Sequence, residues 1–277
     1  MTQPEITIIK PAASRFGFDA AYLKDIWAHR ELLFFLTWRD IKVRYKQTAI
    51  GILWAVLQPA LTTIVFTILF GIFARFDTAE IPYPLFALSG LAIWLFVHTS
   101  ISMASTSFVN NTNMVTKVYF PRLIVPVSAT LASMLDLVFS FAMLLLLMLW
   151  FSTSVSLSVI FAPIFLVTAV ILAVAVGTLF SALNVRFRDV KFALPFLLQV
   201  WMIASPIFYP STIVPERWRW VFALNPLTGI IEGFRSSVFG SAFDITLIAT
   251  SMASLAVIVI GSLFIFTTLE DDFADVI

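Results

Sequence analysis

Long apolar segments constrain this sequence more strongly than any other feature. A helix needs about 20 apolar residues to cross the apolar core of a bilayer. Six segments reach or approach that length, at about residues 50–73, 84–108, 123–151, 157–183, 192–209 and 244–268. The fifth is the shortest and contains Pro195 and Pro206, so we expect it to be bent, broken or only partly spanning. The pattern predicts an all-α, polytopic membrane protein with six transmembrane helices.

The composition agrees with a membrane protein and excludes several kinds of site. Charged residues make up only 12% of the chain, whereas soluble domains average about 25%. The sequence has no cysteine, and its two histidines, His29 and His98, lie far apart, so we expect no metal site. It has no G-x-x-x-x-G-K-[ST] phosphate loop, so we expect no nucleotide cofactor on this chain. We expect no nucleic-acid partner either.

The distribution of Lys and Arg predicts the orientation of the chain. Thirteen of the 17 lie before the first span, after the second or after the fourth, and four lie in the other connections. The positive-inside rule places the thirteen in the cytoplasm. With six spans, both termini are then cytoplasmic. Residues 1–20 contain no apolar core segment, so we expect no cleavable signal peptide.

The stretch before the first span is predicted to form an amphipathic helix over residues 22–47. Phe34, Trp38, Ile41 and Tyr45 recur at steps of three or four and share one face. Such a helix suits the cytoplasmic interface, with rings near acyl chains and cations near lipid phosphates. It is either a topology anchor only, or it also contacts a cytoplasmic partner or an anionic lipid-linked substrate. Its candidate residues are Phe34, Trp38, Arg39, Lys42, Arg44, Tyr45 and Lys46.

These features divide the chain into four parts. A cytoplasmic N-terminal segment (1–21) is followed by the interface helix (22–47). The six-span transmembrane domain (48–268) comes next, and a cytoplasmic acidic tail (269–277) ends the chain.

Four stretches of the sequence resemble one known family. They are LLFFLTWRDIKVRYKQTAIGILWAVLQP and its continuation (32–71), NMVTKVYFPRLIVPVSA (113–129), LNVRFRDVKFALPFLLQVWMIASPIFYP (183–210) and LNPLTGIIEGFR (224–235). Together they resemble, in order, the permease subunits of ATP-binding-cassette exporters for O-antigen, capsule and teichoic acid. The resemblance implies a homodimer in the bacterial inner membrane, driven by two separate ATPase subunits that carry ATP and magnesium. It also implies export of a lipid-linked polysaccharide.

The resemblance favours two cytoplasmic loops as contacts with the ATPase. The first, residues 110–122, ends in an aromatic pair that suits a groove on a partner. The second, residues 184–191, is a further contact or a gate. Without the resemblance, the first would be interpreted as an ordinary basic loop. The charged residues of the second would be interpreted as forming only a local ion pair. The candidate coupling residues are Lys117, Val118, Tyr119, Phe120, Arg122, Arg186, Arg188 and Asp189.

Aromatic side chains are candidates for a channel lining, because the C–H faces of sugars pack on rings. The alternative for each ring is contact with lipid. Residues 210–243 are predicted to form one or two short helices at the membrane surface, which the resemblance implies to be an extracytoplasmic gate. The candidates are Trp54, Gln58, Phe66, Phe70, Phe73, Trp201, Phe208, Tyr209, Arg217, Trp218 and Arg235.

Asp136 is the only charged residue well inside a predicted span. An intramembrane carboxylate is a candidate functional group, but a structural carboxylate hydrogen-bonded between helices is at least as good an interpretation. His98 lies among hydroxyl-bearing residues and is expected to be neutral and structural.

The residues predict a transport subunit and not an enzyme. The preferred function is the permease half of an exporter of lipid-linked polysaccharide, with a channel between two copies. Three alternatives stay open: an exporter of a small hydrophobic molecule or drug, an ion-driven transporter, and a membrane transferase. The last two require more intramembrane charges, or a convergent polar set, than Asp136 and His98 provide.

Overall fold

The computed structural model describes residues 20–46, 51–78, 81–187, 189–270 and 273. Within those residues the chain is all-helical, as predicted. Its α-helices are α1 (Ala20–Ala28), α2 (Arg30–Lys46), α3 (Trp54–Phe66), α4 (Tyr83–Asn110), α5 (Thr112–Lys117), α6 (Ile124–Trp150), α7 (Ala162–Arg186), α8 (Val190–Ile203), α9 (Glu216–Ala223), α10 (Pro226–Phe239) and α11 (Ile245–Glu270).

Five helical segments among the described residues are long and apolar enough to cross a membrane. They are Gly51–Phe73, Tyr83–Asn110, Ile124–Trp150, Leu157–Arg186 and Ile245–Glu270. The first is α3 with a 3-10 turn before it and a π-helix, Thr67–Phe73, after it. These bounds lie within three residues of the predicted ones, and the chain is an integral membrane protein.

The predicted fifth span is broken in the structure, as expected from its shortness and its two prolines. The segment 192–209 was expected to approach spanning length, but α8 ends at Ile203 after 14 residues. At 1.5 Å per residue such a helix is about 21 Å long, which is shorter than the bilayer core. The six-span count is therefore not confirmed by helix length alone. The next residues, 204–210, leave the helix, and their carbonyl oxygens accept hydrogen bonds from Tyr83 of α4 and Arg235 of α10.

The helix α4 is the centre of the fold. It packs against α6 and α7, and 78% of its most apolar 18-residue window is buried. By contrast, only 11% of the corresponding window of the α3 segment is buried. The α3 segment therefore lies at the periphery and presents most of its surface to lipid or to another chain.

Two short helices precede α11, in the region where one or two were predicted. The start of α10 is explained by its sequence, since Asn225 accepts a hydrogen bond from the Leu227 amide and Pro226 occupies the first turn. Gly240 ends the helix at φ 77°, a conformation that glycine adopts without strain. Nearly all of α10 is buried against α4, α7 and α11.

The predicted helix over 22–47 is two helices, α1 and α2, separated at His29. Leu36 is the buried residue of α2 and packs with Phe108 and Phe266. Leu269 and Phe273 join the same cluster, so these two residues of the predicted acidic tail pack against the protein. Residues 1–19 of the predicted N-terminal segment, and 271, 272 and 274–277 of the tail, lie outside the described residues.

Candidate functional site

The C-terminal end of α2 meets the intramembrane carboxylate of α6. Arg44 Nη1 lies 2.6 Å from Asp136 Oδ2, and the Tyr45 hydroxyl donates a hydrogen bond to Asp136 Oδ1. Burial, and then the bond to Asp136, raise the pKa of Tyr45 above its ordinary value, so the phenol keeps its proton and donates. We call these three residues the carboxylate tie.

The carboxylate tie corrects two expectations about the interface helix. Arg44 was predicted to turn toward lipid phosphates and Tyr45 toward acyl chains, but both side chains turn inward to Asp136. The reason is electrostatic, because a buried carboxylate requires a cation and hydrogen-bond donors. Arg44 and Tyr45 are thus the partners that a structural role of Asp136 requires. A role of Asp136 in transport stays a prediction.

The remaining candidates of α2 lie closer to the surface. Phe34 and Trp38 are exposed, and the Lys42 ammonium lies 5.3 Å from the centre of a Trp38 ring. Arg39 pairs with the neighbouring Asp40 at 2.8 Å, and Lys46 is exposed. An exposed face of rings and cations suits a membrane interface or a partner surface.

Two cavities flank the carboxylate tie. The larger, which we call the vestibule, has a volume of about 610 Å³ and lies between α2, the C-terminal half of α4 and the start of α6. The smaller, the inner pocket, has about 200 Å³ and lies between α2, the α3 segment, α4 and α6. Trp54 and Gln58, two of the predicted channel candidates, line the inner pocket.

The structure separates the aromatic pair of the first coupling loop. Tyr119 is 65% exposed, whereas Phe120 is 5% exposed and packs in the cluster around Leu36 and Phe108. Phe120 therefore does not form half of an outward plug in this conformation, which corrects the predicted pairing. Burial of this ring fixes the loop to the core and leaves Tyr119, Val118 and Lys117 on the surface.

Arg122 is also held within the protein. It donates a hydrogen bond to the Glu270 carbonyl at the end of α11, and its guanidinium lies 5.7 Å from the centre of the Phe273 ring. In the second loop, Arg186 and Asp189 are exposed. Arg188 lies outside the described residues.

Four channel candidates form one aromatic cluster at the opposite end of the bundle. Phe208 stacks on Phe70 at 4.8 Å and meets Phe66 at 5.2 Å between ring centres. Tyr209 meets Phe208 edge-on at 5.2 Å, and Phe76 stacks on Phe70 at 5.5 Å. The π-helix turns Phe70 toward this cluster, whereas Phe73 is 75% exposed and lies apart from it.

Arg235 is a structural anchor and not a surface gate charge. All five guanidinium N–H groups have acceptors. They are Ser89 Oγ, the carbonyl oxygens of Phe86, Pro206 and Ile207, and Glu232 Oε1 at 2.6–3.2 Å. The side chain is 3% exposed. It ties α10 to α4 and to residues 204–210, which leaves Arg217 and Trp218 as the exposed candidates of α9.

Sequence reasoning missed the residues that hold residues 204–210 in place. Asn225 accepts from Trp201 Nε1 at 2.9 Å and donates to Ser205 Oγ at 2.8 Å. Tyr83 donates to the Phe208 carbonyl at 2.6 Å. An Asn-Pro helix start marks Asn225 in the sequence, and the spacing of Glu232 and Arg235 suits a helical pair. No local signal connects Arg44 to Asp136.

Comparisons with known proteins agree with this architecture. A model of the ABC-2 type transporter family matches residues 31–239. The O-antigen export system permease protein RfbA of Klebsiella pneumoniae is 27% identical over 265 residues, 95% of this chain and 99% of that protein. RfbA of Myxococcus xanthus is 26% identical over 256 residues, covering 91% and 98%.

A third relative is named for a different cargo. The polysialic acid transport protein KpsM of Escherichia coli is 27% identical over 241 residues, 84% of this chain and 91% of that protein. The family match covers far more than half of the chain and includes α2 to α10. The protein is therefore a member of the ABC-2 type transporter family.

Proposed function

We propose that this chain is the membrane subunit of an ATP-driven exporter of lipid-linked polysaccharide. Two copies form the path, and two separate ATPase subunits bind ATP and magnesium and drive it. The complex lies in the bacterial inner membrane, with both termini of the chain in the cytoplasm. The observation that carries the proposal is the near-full-length similarity to permeases named for O-antigen and polysialic acid export.

The two ends of the bundle carry residues suited to different roles in export. Exposed Tyr119 and Lys117, with Arg186 and Asp189, form the contact with the ATPase at the basic end. Movement of this contact reaches the bundle through α2 and α6, which pack together. At the opposite end, the aromatic cluster offers ring faces on which sugar C–H faces pack without fixed hydrogen bonds.

The path requires a sixth crossing, which α8 begins. We assign it to α8 together with residues 204–210, which Asn225, Arg235 and Tyr83 tie to the neighbouring helices. In this arrangement α9 and α10 form the outer gate before α11. An irregular backbone at membrane depth is tolerated where it is packed against protein, and this segment meets that condition.

The test is a purification of the tagged chain from native membranes in mild detergent. The expected result is a stoichiometric nucleotide-binding subunit and magnesium-dependent ATPase activity in the same peak. Reconstituted vesicles then measure transfer of lipid-linked polysaccharide, with a short lipid-linked sugar and a hydrophobic dye as comparison substrates.

Each outcome discriminates between the candidate functions. Transfer of the polymer in an ATP-dependent manner supports the proposal. Transfer of the dye alone identifies an exporter of small hydrophobic molecules. A homomer without a nucleotide-binding subunit contradicts the proposal and favours the ion-driven transporter or the membrane transferase.

A further inference from the structure

The vestibule and the inner pocket lie next to each other and share part of their lining. Arg44 and Thr99 line both cavities, whereas Asp136 lines only the inner pocket. Arg44 Nη1 lies 2.6 Å from Asp136 Oδ2 and 3.8 Å from Met103 Sδ, and Met103 lines the vestibule. The guanidinium therefore stands between the two cavities, with the carboxylate on one side and the thioether on the other.

The inner pocket carries several polar side chains although it lies among membrane helices. Its lining includes Gln58, Thr99, Asp136 and Ser140. Pro59 also lines the inner pocket. Because proline has no backbone N–H, the Ala55 carbonyl oxygen lacks the donor that a helix would normally give it at this position. A cavity of about 200 Å³ holds several water molecules at about 30 Å³ each.

The two cavities lead in different directions. The vestibule is bounded by the C-terminal end of α4, at Asn110 and Asn111, on the end that the charge count predicts to be cytoplasmic. The inner pocket reaches Trp54 and Gln58, whose side chains are exposed on the α3 segment. A connection between the cavities would join the cytoplasmic end to the exposed face of α3.

We propose that the carboxylate tie is the gate of a polar passage within a single protomer. In the closed state, Arg44 bridges α2 to Asp136, and the Tyr45 hydroxyl holds the second carboxylate oxygen. Displacement of α2 from α6 withdraws the guanidinium and joins the vestibule to the inner pocket. The open passage admits water and hydroxyl-bearing polar groups. The amide, hydroxyl and carboxylate groups of the lining form hydrogen bonds with them. The gate is independent of the proposed function, and only its use during export rests on it.

The absence of cysteine from the sequence allows a direct test. Ser140→Cys places a near-isosteric thiol in the inner pocket, and Thr106→Cys places one in the vestibule. Each is introduced alone, and the full chain with its native partners is kept in inside-out membrane vesicles. The labelling rate with a small, charged, membrane-impermeant thiol reagent is measured and divided by the rate in the denatured protein.

The expected rates differ between the two positions and between variants. With the gate intact, Ser140→Cys should label at least tenfold more slowly than Thr106→Cys. Adding Asp136→Asn should raise the Ser140→Cys rate at least fivefold and leave the Thr106→Cys rate unchanged. Tyr45→Phe, which removes one hydroxyl, should give a smaller increase. The matched control is Arg39→Ala, since Arg39 lines the vestibule and pairs only with Asp40 among the described contacts; it should not change the Ser140→Cys rate.

Several outcomes would overturn the gate. Fast labelling of Ser140→Cys in the otherwise unchanged protein would mean that the pocket is already open. A rate that stays slow in correctly assembled Asp136→Asn and Tyr45→Phe proteins would mean that another barrier separates the cavities. If Asp136→Asn fails to assemble, Tyr45→Phe and the exchanged pair Arg44→Asp with Asp136→Arg decide the question, because restored slow labelling in the exchanged pair requires the charge contact.

Discussion

Individual polar side chains set the geometry of the end of the molecule that contains residues 204–210 and α10. Arg235 is buried, and its five donors are accepted by three carbonyl oxygens, one hydroxyl and one carboxylate. The planar guanidinium suits this arrangement because its donors diverge in fixed directions. Its charge is compensated by Glu232 at 3.0 Å, and its plane lies over the Phe86 ring at 3.6 Å. The cost of burial is thereby offset, and two chain segments are joined.

Even a conservative substitution of Arg235 should lower the stability of the protein. Arg235→Lys keeps the charge but loses the planar fork, which leaves buried carbonyls unpaired. We expect a loss of about 3 kcal/mol in stability. Thermal unfolding of the purified protein measures it, with exposed Arg217→Lys as the matched control. Equal unfolding temperatures for the two variants would contradict the anchoring role.

A glycine makes the close approach to Arg235 possible. A Cβ built at Gly90 would lie 2.7 Å from both Arg235 Nη2 and the Ile207 carbonyl oxygen. Gly90→Ala should therefore displace residues 206–207 and cost about 2 kcal/mol. Gly261→Ala is the control, because a Cβ there meets nothing within 4 Å, and its stability should stay within about 1 kcal/mol of the parent. Both are compared by thermal unfolding, and an unchanged Gly90→Ala protein would argue against tight packing.

At the scale of elements, α2 links the loop 110–122 to the bundle. Its one buried residue, Leu36, packs in the cluster that also contains Phe120 from the coupling loop and Phe273 from the tail. Its last turn holds Asp136 through Arg44 and Tyr45. The loop thus contacts α2 through apolar packing, and α2 contacts α6 through the charged and hydrogen-bonded Asp136.

The two aromatic residues of the coupling loop should respond differently to substitution. Tyr119→Ala removes an exposed ring, so stability should change little while binding of the ATPase weakens about tenfold. Phe120→Ala opens a cavity in the core and should cost about 3 kcal/mol. Copurification of the ATPase and thermal unfolding measure the two effects separately. If Phe120→Ala is stable and Tyr119→Ala retains normal ATPase binding, the assignment of the exposed surface is wrong.

At the scale of the whole molecule, the number of crossings depends on α8 and the residues after it. The other five segments have ample length, but α8 has 14 residues. A bilayer crossing here requires the contribution of 204–210, whose backbone is bonded to Asn225, Arg235 and Tyr83. In the proposed six-span topology, the packed irregular backbone of 204–210 completes the crossing that α8 begins.

Labelling of single cysteines at the two ends of this segment tests whether it crosses the membrane. Asp189→Cys should react with an impermeant thiol reagent only in inside-out vesicles. The reason is that Asp189 lies in the basic loop 184–191, which is predicted to be cytoplasmic. Ile213→Cys should react only in right-side-out vesicles, because Ile213 lies beyond the proposed crossing. Reaction of both from the same side would exclude the sixth crossing and place the termini on opposite sides.

The sequence by itself determined the membrane class, the all-helical fold and the bounds of five spans. These are consequences of hydropathy along the chain, since each span must satisfy its own backbone hydrogen bonds in lipid and carry enough apolar residues. The predicted segment 244–268 and the observed Ile245–Glu270 differ by only one or two residues at each end for this reason. The family resemblance likewise rests on local stretches of sequence.

Only the tertiary structure decided which polar and aromatic side chains meet. Arg44 and Asp136 are 92 positions apart, and nothing in the local pattern of either segment pairs them. Adjacent Tyr119 and Phe120 look equivalent in sequence, yet Tyr119 is exposed whereas Phe120 is buried in the cluster around Leu36 and Phe108. Buried charges and rings find partners through the packing of whole helices, so their contacts depend on the complete fold and not on sequence spacing.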